Sequence, residues 1–408
     1  MNIRTITYFC EPGFPVATER LAAAGETVAA LEAALTDAGD LVQTTRLAGP
    51  PFPQMLAGHP EKVVAYARAL EDLCFVHGLD YATLGPARAA DAPAFFHVIP
   101  DALGATQNVF AAAHLTDPGL GASLPAIRLI ADVVRRCAAL TPDGFGNLRF
   151  AALANVPAGV PFLPAAYHGG GAPALALGLE AAALAVRACA EAETVVEARA
   201  RLVGAVEAEA ARLNRIVRKA LGKREVVFSG LDFSFAPYPD EARSLGAALE
   251  RLTGGRVGEA GTLAAAAFLA DALDRAQFKR AGFCGLFLPV LEDAVLAAGA
   301  ADGALTVNDL LLYSSVCGTG LDTLPLPGDT PAEALAAILL DVAALALRLD
   351  KPLTARLMPL PDKQAGDPAQ FAFEFFAPSR VLAVRGSGLG GVLAGSAALE
   401  VGPRPRRA

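Results

Sequence analysis

The feature that most constrains this chain is an unbroken alternation of strand-like and helix-like segments along its length. Residues 3–9 alternate apolar and polar side chains as a half-buried strand does, and residues 16–38 then carry apolar side chains at helical spacing. Further strands are predicted at 42–47, 81–84, 148–156, 226–231, 353–358, 371–376 and 381–384, and further helices at 62–76, 103–114, 124–140, 174–221, 240–252, 261–278, 307–313 and 331–349. Strands alternating with helices predict an α/β fold with mainly parallel pairing.

The domain organisation is inferred from whether anything along the chain interrupts this alternation. A length of 408 residues leaves room for two or three folding units. No linker, repeat or change of composition marks a boundary, and with 54% hydrophobic residues the chain can bury a large core. We therefore expect one domain over residues 1–400, followed by a disordered basic tail over 401–408.

Charge and segment lengths exclude several classes of partner. The net charge is −8 and no cluster of basic residues is present, which argues against nucleic-acid binding. Residues 1–14 lack the apolar core of a signal peptide, so we expect a cytoplasmic protein. The uncharged stretch 150–179 is long enough to span a bilayer, but four prolines interrupt it, so no membrane association is expected. The six cysteines form no C-x-x-C pair, which excludes a zinc ribbon and a disulfide framework.

A nucleotide cofactor is not predicted. Residues 386–391 match G-x-G-x-x-G, but only 17 residues follow Gly391, too few for the helix, strand and acidic residue of a dinucleotide site. A flexible C-terminal turn is the better interpretation. The chain also lacks a G-x-x-x-x-G-K-[ST] loop, which excludes a P-loop hydrolase.

The first candidate site segment is the uncharged loop that follows the predicted strand 148–156. It contains Asn155 and ends in Tyr167 and His168, directly before three glycines that permit close approach of a ligand. His168 is the best candidate for a general acid or base, and Asn155 and Tyr167 are candidate substrate ligands. The alternative is a histidine that only hydrogen-bonds backbone carbonyls.

The second candidate segment is the glycine-rich stretch 314–331, which we expect to form a loop after a helix. It places the thiol of Cys317 in a turn where backbone N–H groups can bind an anion. Asp322 follows in the same loop and has no helix to cap, so it is a candidate for catalysis.

Carboxylates at the ends of strands form the third candidate group. Glu292 and Asp293 follow the apolar stretch 283–290, and Asp232 ends the predicted strand 226–231. Such carboxylates suit acid–base chemistry, for which Glu292 is a candidate, or a divalent cation, for which Asp232 and Asp293 are candidates. The alternative for 292–293 is an acidic first turn of the next helix.

Two basic residues complete the candidates as substrate ligands. Arg356 lies inside an apolar strand, where an arginine is seldom unpaired, so it should meet a carboxylate of the protein or of a ligand. Lys363 follows in a turn.

Taken together, these segments resemble domain-of-unknown-function family 711, in the same order from about residue 2 to residue 385. The segments that carry the resemblance are 3–7, 152–157, 167–168, 232–234, 287–293, 317–329 and 356–359. The resemblance implies a single large ten-stranded α/β barrel, similar to the pyruvate formate-lyase-like fold, that encloses a loop. It also implies that Cys317 is the analogue of the cysteine that attacks substrate in the radical enzymes of that fold. Their R-V-x-G-[YF] motif is missing at 385–388, so no glycyl radical is expected.

Three functional hypotheses remain open. The leading one is a cytosolic enzyme that binds a small polar metabolite inside the barrel, with Cys317 and His168 as nucleophile or acid–base groups beside the carboxylates. The second is a metal-assisted lyase or hydrolase in which the carboxylates hold a divalent ion. The third is a non-catalytic ligand-binding or scaffold barrel. Alanine-rich helices make a homo-oligomer a further expectation.

Overall fold

The structure is a computed structural model that describes residues 1–386 and 388–403; Ser387 and residues 404–408 lie outside the described residues. The strands are β1 (Asn2–Phe9), β2 (Leu41–Val42), β3 (Thr45–Ala48), β4 (Tyr81–Ala87), β5 (Val109–His114), β6 (Thr116–Asp117), β7 (Gly121–Ser123), β8 (Phe150–Ala154), β9 (Ala174–Glu180), β10 (Val227–Asp232), β11 (Gly320–Pro327), β12 (Leu353–Leu360), β13 (Pro368–Ala369), β14 (Ser379–Arg380) and β15 (Ala398–Leu399).

The α-helices lie between these strands. They are α1 (Thr18–Asp37), α2 (Phe52–Met55), α3 (Val63–Val76), α4 (Pro93–His97), α5 (Ile99–Gly104), α6 (Leu124–Ala138), α7 (Ala182–Ala190), α8 (Val195–Leu221), α9 (Leu245–Thr253), α10 (Thr262–Arg275), α11 (Ala294–Ala301), α12 (Val307–Tyr313) and α13 (Ala332–Leu349). Within residues 1–386 and 388–403, every helix is too short or too polar to span a lipid bilayer.

A ten-stranded sheet organises the molecule, in the order β10-β9-β1-β3-β4-β5-β8-β12-β11 with β2 beside β1. Strands β1, β3, β4, β5 and β8 are parallel to one another. Two parallel pairs flank this group. β12 and β11 are parallel to each other, and β12 pairs antiparallel with β8. β9 and β10 are parallel to each other, and β9 pairs antiparallel with β1. The predicted mixed α/β fold with mainly parallel pairing is therefore confirmed.

The two edge strands of this sheet, β10 and β11, contact the same connecting segment, residues 279–290. This segment makes parallel bridges from Leu286 to Phe235, just beyond β10, and from Pro289 to Asp322 in β11. It contains Cys284 at φ 44° and a proline without an N–H group, and neither fits a regular ladder. Among the described residues, regular strand pairing therefore stops at β10 and β11. The described residues form a large ten-stranded sheet whose edges are joined by isolated bridges, and they do not form the predicted closed barrel.

One face of the sheet packs against the helices. Ile6 in β1 and Leu47 in β3 belong to one apolar cluster with Leu21 in α1, Leu70 in α3 and Leu339 in α13. Helices of this kind bury one apolar stripe and leave their polar side in water. Most of the helical stability therefore comes from burying this stripe against the sheet.

The uncharged segment that follows β8 covers the other face of the sheet. Because successive strand residues point to opposite faces, Tyr8 joins the helix-side cluster, whereas Phe9 packs with Phe110 and with Leu163 of this segment. Val160 of the same segment packs with other inward-facing residues of β5 and β8. Most residues of 150–179 are buried in the sheet or against it, where a charge would lose its hydration, and this burial accounts for the absence of charge from them.

Several element assignments differ from the sequence-based predictions. Residues 109–114 and 174–180 are strands and not helix, and residues 320–327, predicted as a loop, form β11. The segments 371–376 and 381–384, predicted as strands, have no regular structure. Buried strands rich in alanine and leucine show no period of two, so periodicity alone cannot distinguish them from helix.

The predicted C-terminal tail is only partly described. Arg348 donates a hydrogen bond to the carbonyl of Gly402 at 2.9 Å. Arg404, Arg406 and Arg407 lie outside the described residues. The boundary at residue 400 stays a prediction.

Asp40 provides a test of the contacts that hold α8 to the start of the sheet. Its carboxylate accepts hydrogen bonds from Arg212 at 2.6 and 2.8 Å and from the amino group of Met1 at 3.0 Å. Burial alone would raise the pKa of Asp40, but these donors hold it below the ordinary value of 3.8. The carboxylate therefore stabilises the fold above its unfolded-state pKa and ceases to do so as the pH falls through its folded-state pKa.

We expect Asp40→Asn to reduce the free energy of unfolding by about 2 kcal/mol near neutral pH, because hydrogen bonds to charged groups are lost. The difference from the wild type should shrink as the pH is lowered below about 3.8, where the wild-type carboxylate gains its proton. Urea unfolding over a pH series measures this. A difference that is independent of pH would contradict the assignment.

Candidate functional site

A cavity of about 90 Å³ brings together arginines from three strands of the sheet. Arg4 comes from β1, Arg46 from β3 and Arg356 from β12, and Glu292 lies beside them. One water needs roughly 10–15 Å³ on this measure, so the cavity has room for a small molecule. Its other walls include the aromatic rings of Phe162 and Phe287 and the apolar Leu163, Leu179 and Ala236.

Arg356 is the centre of a buried ion-pair network on the cavity wall. Its Nε donates to Asp322 Oδ1 at 2.6 Å, and its Nη2 donates to Glu292 Oε1 at 2.7 Å. Arg4 Nη2 donates to the other oxygen of Glu292 at 3.1 Å, and the Phe162 ring lies 5.5 Å from the Arg356 guanidinium. The arginine in an apolar strand is therefore paired with protein carboxylates, one of the two partners expected for it.

Asp322 supports this network and directly precedes a residue with a strained backbone. Its Oδ1 accepts from Arg356 and from the amide of Thr323, while Oδ2 is buried and has no hydrogen-bond partner among the described residues. Burial raises the pKa of Asp322, although Arg356 opposes the shift. Thr323 has φ 40°, unusual for a β-branched residue, at an irregularity in the pairing of β11 with β12. Strain of this kind concentrates at functional sites.

Arg46 differs from the other two arginines because it has no ion-pair contact among the described residues; the charge of Glu292 acts on it only from a greater distance. No Asp or Glu oxygen in residues 1–386 or 388–403 lies within 4.0 Å of its nitrogens, and its recorded hydrogen bond is from Nε to Thr44 Oγ1 at 2.8 Å. Burial, reinforced by the nearby Arg4 cation, lowers the pKa of Arg46 to about 9. A negative charge bound beside Arg46 would therefore stabilise its charged form.

Asp232 lies on the same cavity wall and is saturated with donors. It accepts hydrogen bonds from Ser234 Oγ at 2.5 Å and from the amides of Ser234, Phe283 and Cys284 at 2.9–3.0 Å. Burial raises its pKa, and these donors oppose that shift. The carboxylate thus anchors the connecting segment 279–290 to the end of β10.

Asp293 lies one residue beyond Glu292 but has a different environment. It caps α11 by accepting from the amides of Val295 and Leu296, and it also accepts from Ser244 Oγ and the Gly246 amide. Asp293 therefore lies at the start of a helix, as the alternative interpretation of residues 292–293 expected. Within the part of the chain that the structure describes, no three His, Cys, Asp or Glu side chains are arranged to hold a metal ion.

Cys317 and His168 are both buried, and neither lines this cavity. Cys317 belongs to the main apolar cluster, where its Sγ accepts from the Gly320 amide at 3.2 Å. His168 donates its amide to the Gly49 carbonyl, and its buried Nε2 has no partner among the described residues. Burial lowers the pKa of His168. The nucleophile and acid–base roles of these two residues stay predictions.

The remaining candidates lie in two other places. Asn155 and Tyr167 line a second cavity, and Lys363 lies in an exposed turn after β12. The structure thus brings Arg356, Glu292, Asp322 and Asp232 together, whereas the predicted substrate ligands Asn155, Tyr167 and Lys363 lie elsewhere.

Sequence reasoning missed Arg4 and Arg46. The signal that singled out Arg356, an arginine inside an apolar strand, is absent at these two positions, because polar residues such as Asn2, Thr5 and Thr45 lie beside them in β1 and β3. An arginine in a strand that alternates polar and apolar residues reads as solvent-facing, so its place in the cavity depends on which face of the sheet is covered.

Comparison with known proteins finds relatives over most of the chain. The model of a family described as Uncharacterised ACR (DUF711) matches residues 1–377, a range that contains every residue of the cavity. A UPF0210 protein of Pyrobaculum islandicum is 34% identical over 381 residues, covering 86% of this chain and 83% of the relative. UPF0210 proteins of Methanopyrus kandleri and Neisseria meningitidis serogroup B are 31% and 29% identical and cover 84% and 80% of this chain and 80% and 75% of their own lengths.

Proposed function

This chain belongs to the DUF711 family of uncharacterised proteins, and from that premise we propose a function that rests on its cavity: the protein binds a small organic anion between Arg4, Arg46 and Arg356. The observation that carries the proposal is that Arg46 lines the cavity without an ion-pair contact among the described residues. A partly buried cation without such a contact costs free energy, and a carboxylate or phosphate group of a ligand would offset that cost.

The other walls support a ligand that is small and partly apolar. Arg4 and Arg356 already share Glu292, so Arg46 is the guanidinium with nitrogens to spare for a ligand. Phe162 and Phe287 offer apolar surface for the carbon skeleton. If the bound anion reacts, Glu292 is the proposed proton acceptor, because it is a carboxylate of the lining whose recorded partners are two arginines rather than backbone amides.

The proposal includes the barrel that the family resemblance implies. The segment 279–290 makes parallel bridges near β10 and to β11, which supports a second group of parallel strands. That group consists of β9, β10, this segment, β11 and β12, and it runs antiparallel to β1, β3, β4, β5 and β8. In such a barrel the arginine cavity lies in the interior, which excludes bulk water from the ligand. The six cysteines, all buried as free thiols, support the proposed cytosolic location.

The test is the variant Arg46→Gln, with pyruvate and inorganic phosphate as probes at constant ionic strength. Either anion should raise the melting temperature of the wild type, because it binds the folded state. We expect Arg46→Gln to weaken that binding by about 10- to 100-fold, the value of one or two charge-assisted hydrogen bonds. Without an anion, the variant should be at least as stable as the wild type, because the substitution removes a partly buried cation that has no ion-pair contact among the described residues.

The matched control is Arg135→Gln on the exposed side of α6, where Arg135 pairs with Asp132 at 3.4 Å. This control should bind the anions as the wild type does. If Arg46→Gln retains the wild-type affinity, or if it unfolds while Arg135→Gln does not, the assignment of Arg46 as the anion ligand is wrong.

A further inference from the structure

A second cavity, of about 780 Å³, lies where three neighbouring parallel strands end. Arg88 follows β4, His114 is the last residue of β5, and Asn155 follows β8. In sheets of parallel strands, ligands bind beyond the carboxyl ends, because side chains from adjacent strands meet there. The arginine cavity, in contrast, is lined by Arg4 and Arg46 near the amino ends of β1 and β3.

The polar groups of this second cavity have free hydrogen-bonding capacity. The His114 ring packs edge-on against Tyr167 at a centroid distance of 5.8 Å, and among the described residues its nitrogens have no hydrogen-bond partner. Burial, reinforced by Arg88, lowers the pKa of His114 to about 4, so the ring is neutral near pH 7.

Asn155 is held in position by Thr116. The Thr116 hydroxyl donates to Asn155 Oδ1 at 3.1 Å, and the backbone amide of Asn155 donates to Thr116 Oγ1 at 2.9 Å. These bonds leave the side-chain Nδ2 without an acceptor in the described part of the chain. The residue has φ 54°, a conformation that asparagine tolerates better than most residues and that recurs at ligand sites.

The lining carries both signs of charge. The guanidinium of Arg88 donates to Gln54 Oε1 at 2.9 Å and forms no ion pair with a carboxylate of residues 1–386 or 388–403, while its backbone amide donates to Asp91 Oδ2 at 2.7 Å. Asp117, Asp350 and Glu400 provide negative charge around the same cavity. Pro86, Leu120, Val156 and Leu347 provide apolar surface.

From this arrangement we infer that the second cavity binds a small zwitterion with an apolar side chain, of the chemical class of the apolar α-amino acids. Arg88 provides the cation for its carboxylate, and the acidic residues provide the anions for its ammonium group. His114 and Asn155 Nδ2 are positioned to hydrogen-bond the polar end, and the apolar walls accommodate the side chain. This site does not depend on the anion site at Arg46.

The test uses L-leucine, N-acetyl-L-leucine and L-leucinamide as probes. The two derivatives lack the ammonium and the carboxylate charge, respectively, and keep the same side chain. With five histidines in the chain, imidazole signals of ¹³C-histidine-labelled protein can be resolved, and His114→Gln identifies the signal of His114. We expect leucine to shift that signal and each derivative to bind at least about 10-fold more weakly, the effect of losing one charge-assisted contact.

Three variants separate this site from the anion site. Arg88→Gln should weaken leucine binding by about 10-fold, and Asn155→Gly, which keeps the positive φ accessible, should also weaken it. Arg46→Gln should leave leucine binding unchanged. The inference is overturned if leucine does not shift the His114 signal, if the three probes bind equally, or if Arg88→Gln binds leucine as the wild type does.

Discussion

Replacement of Arg356 by leucine is expected to reduce the free energy of unfolding by about 3–5 kcal/mol, the largest effect of any single substitution considered for this protein. Arg356 is buried, and its guanidinium pairs with Asp322 at 2.6 Å and with Glu292 at 2.7 Å. Removing it leaves Asp322 buried without a counter-ion, while Glu292 retains only Arg4. Chemical denaturation near neutral pH measures the loss.

The pH dependence of this variant has a definite sign. Burial raises the pKa of Asp322 even in the wild type, and removal of the arginine raises it further. The folded variant therefore binds more protons than its unfolded chain, so its stability decreases as the pH rises through the carboxyl range. The stability difference from the wild type should widen from acid to neutral pH.

Two further variants show whether the loss comes from the buried charges. Arg256→Leu removes an equally short but exposed ion pair, with Asp302 at 2.5 Å, and should change the stability by less than about 1 kcal/mol. The double variant Arg356→Leu with Asp322→Leu should recover much of the loss, because a buried ion pair replaced by apolar groups is often tolerated. A double variant as unstable as the single one would contradict this account.

Replacement of Gly285 by alanine is expected to reduce the free energy of unfolding by about 3 kcal/mol, because it forces apart two backbones in contact. A Cβ atom at Gly285 would lie 2.9 Å from the amide nitrogen of Gly318 and closer still to its Cα. At this point the segment 279–290 passes between the edges of the sheet, with the Gly318 amide donating to the Leu286 carbonyl at 3.0 Å. The same variant should weaken anion binding, because Phe287 and Glu292 of the cavity follow directly after this crossing.

The matched control is Gly204→Ala, in the middle of α8. No neighbouring atom lies within 4 Å of a Cβ built there, and the residue is exposed on the helix. Alanine should therefore stabilise the protein by about 0.5–1 kcal/mol through the lower backbone entropy of its unfolded state. Equal effects of the two substitutions in denaturation experiments would rule out a close crossing at Gly285.

Part of the candidate site was accessible from the sequence because charged residues in apolar strands are rare. Arg356 was selected for that reason, and Asp232 and Glu292 because they follow apolar strands. All three line the cavity. Cys317 and His168 were selected because each lies in a glycine-rich loop and because reactive residues are scarce in this chain, and neither criterion shows which cavity such a loop faces.

The sequence by itself determined the α/β class, because that class depends on local periodicity, and it determined the family, because the matching segments follow one another in the same order along the chain. Only the tertiary structure decided which side chains meet. Arg4 donates to the Glu292 carboxylate although the two residues are 288 positions apart in the sequence. Arg356 donates to the Leu148 carbonyl although these residues are 208 positions apart. Such contacts depend on the order of strands in the sheet, which places β1 between β9 and β3 and β12 beside β8. That order is set by the packing of the whole core, and no local pattern of residues encodes it.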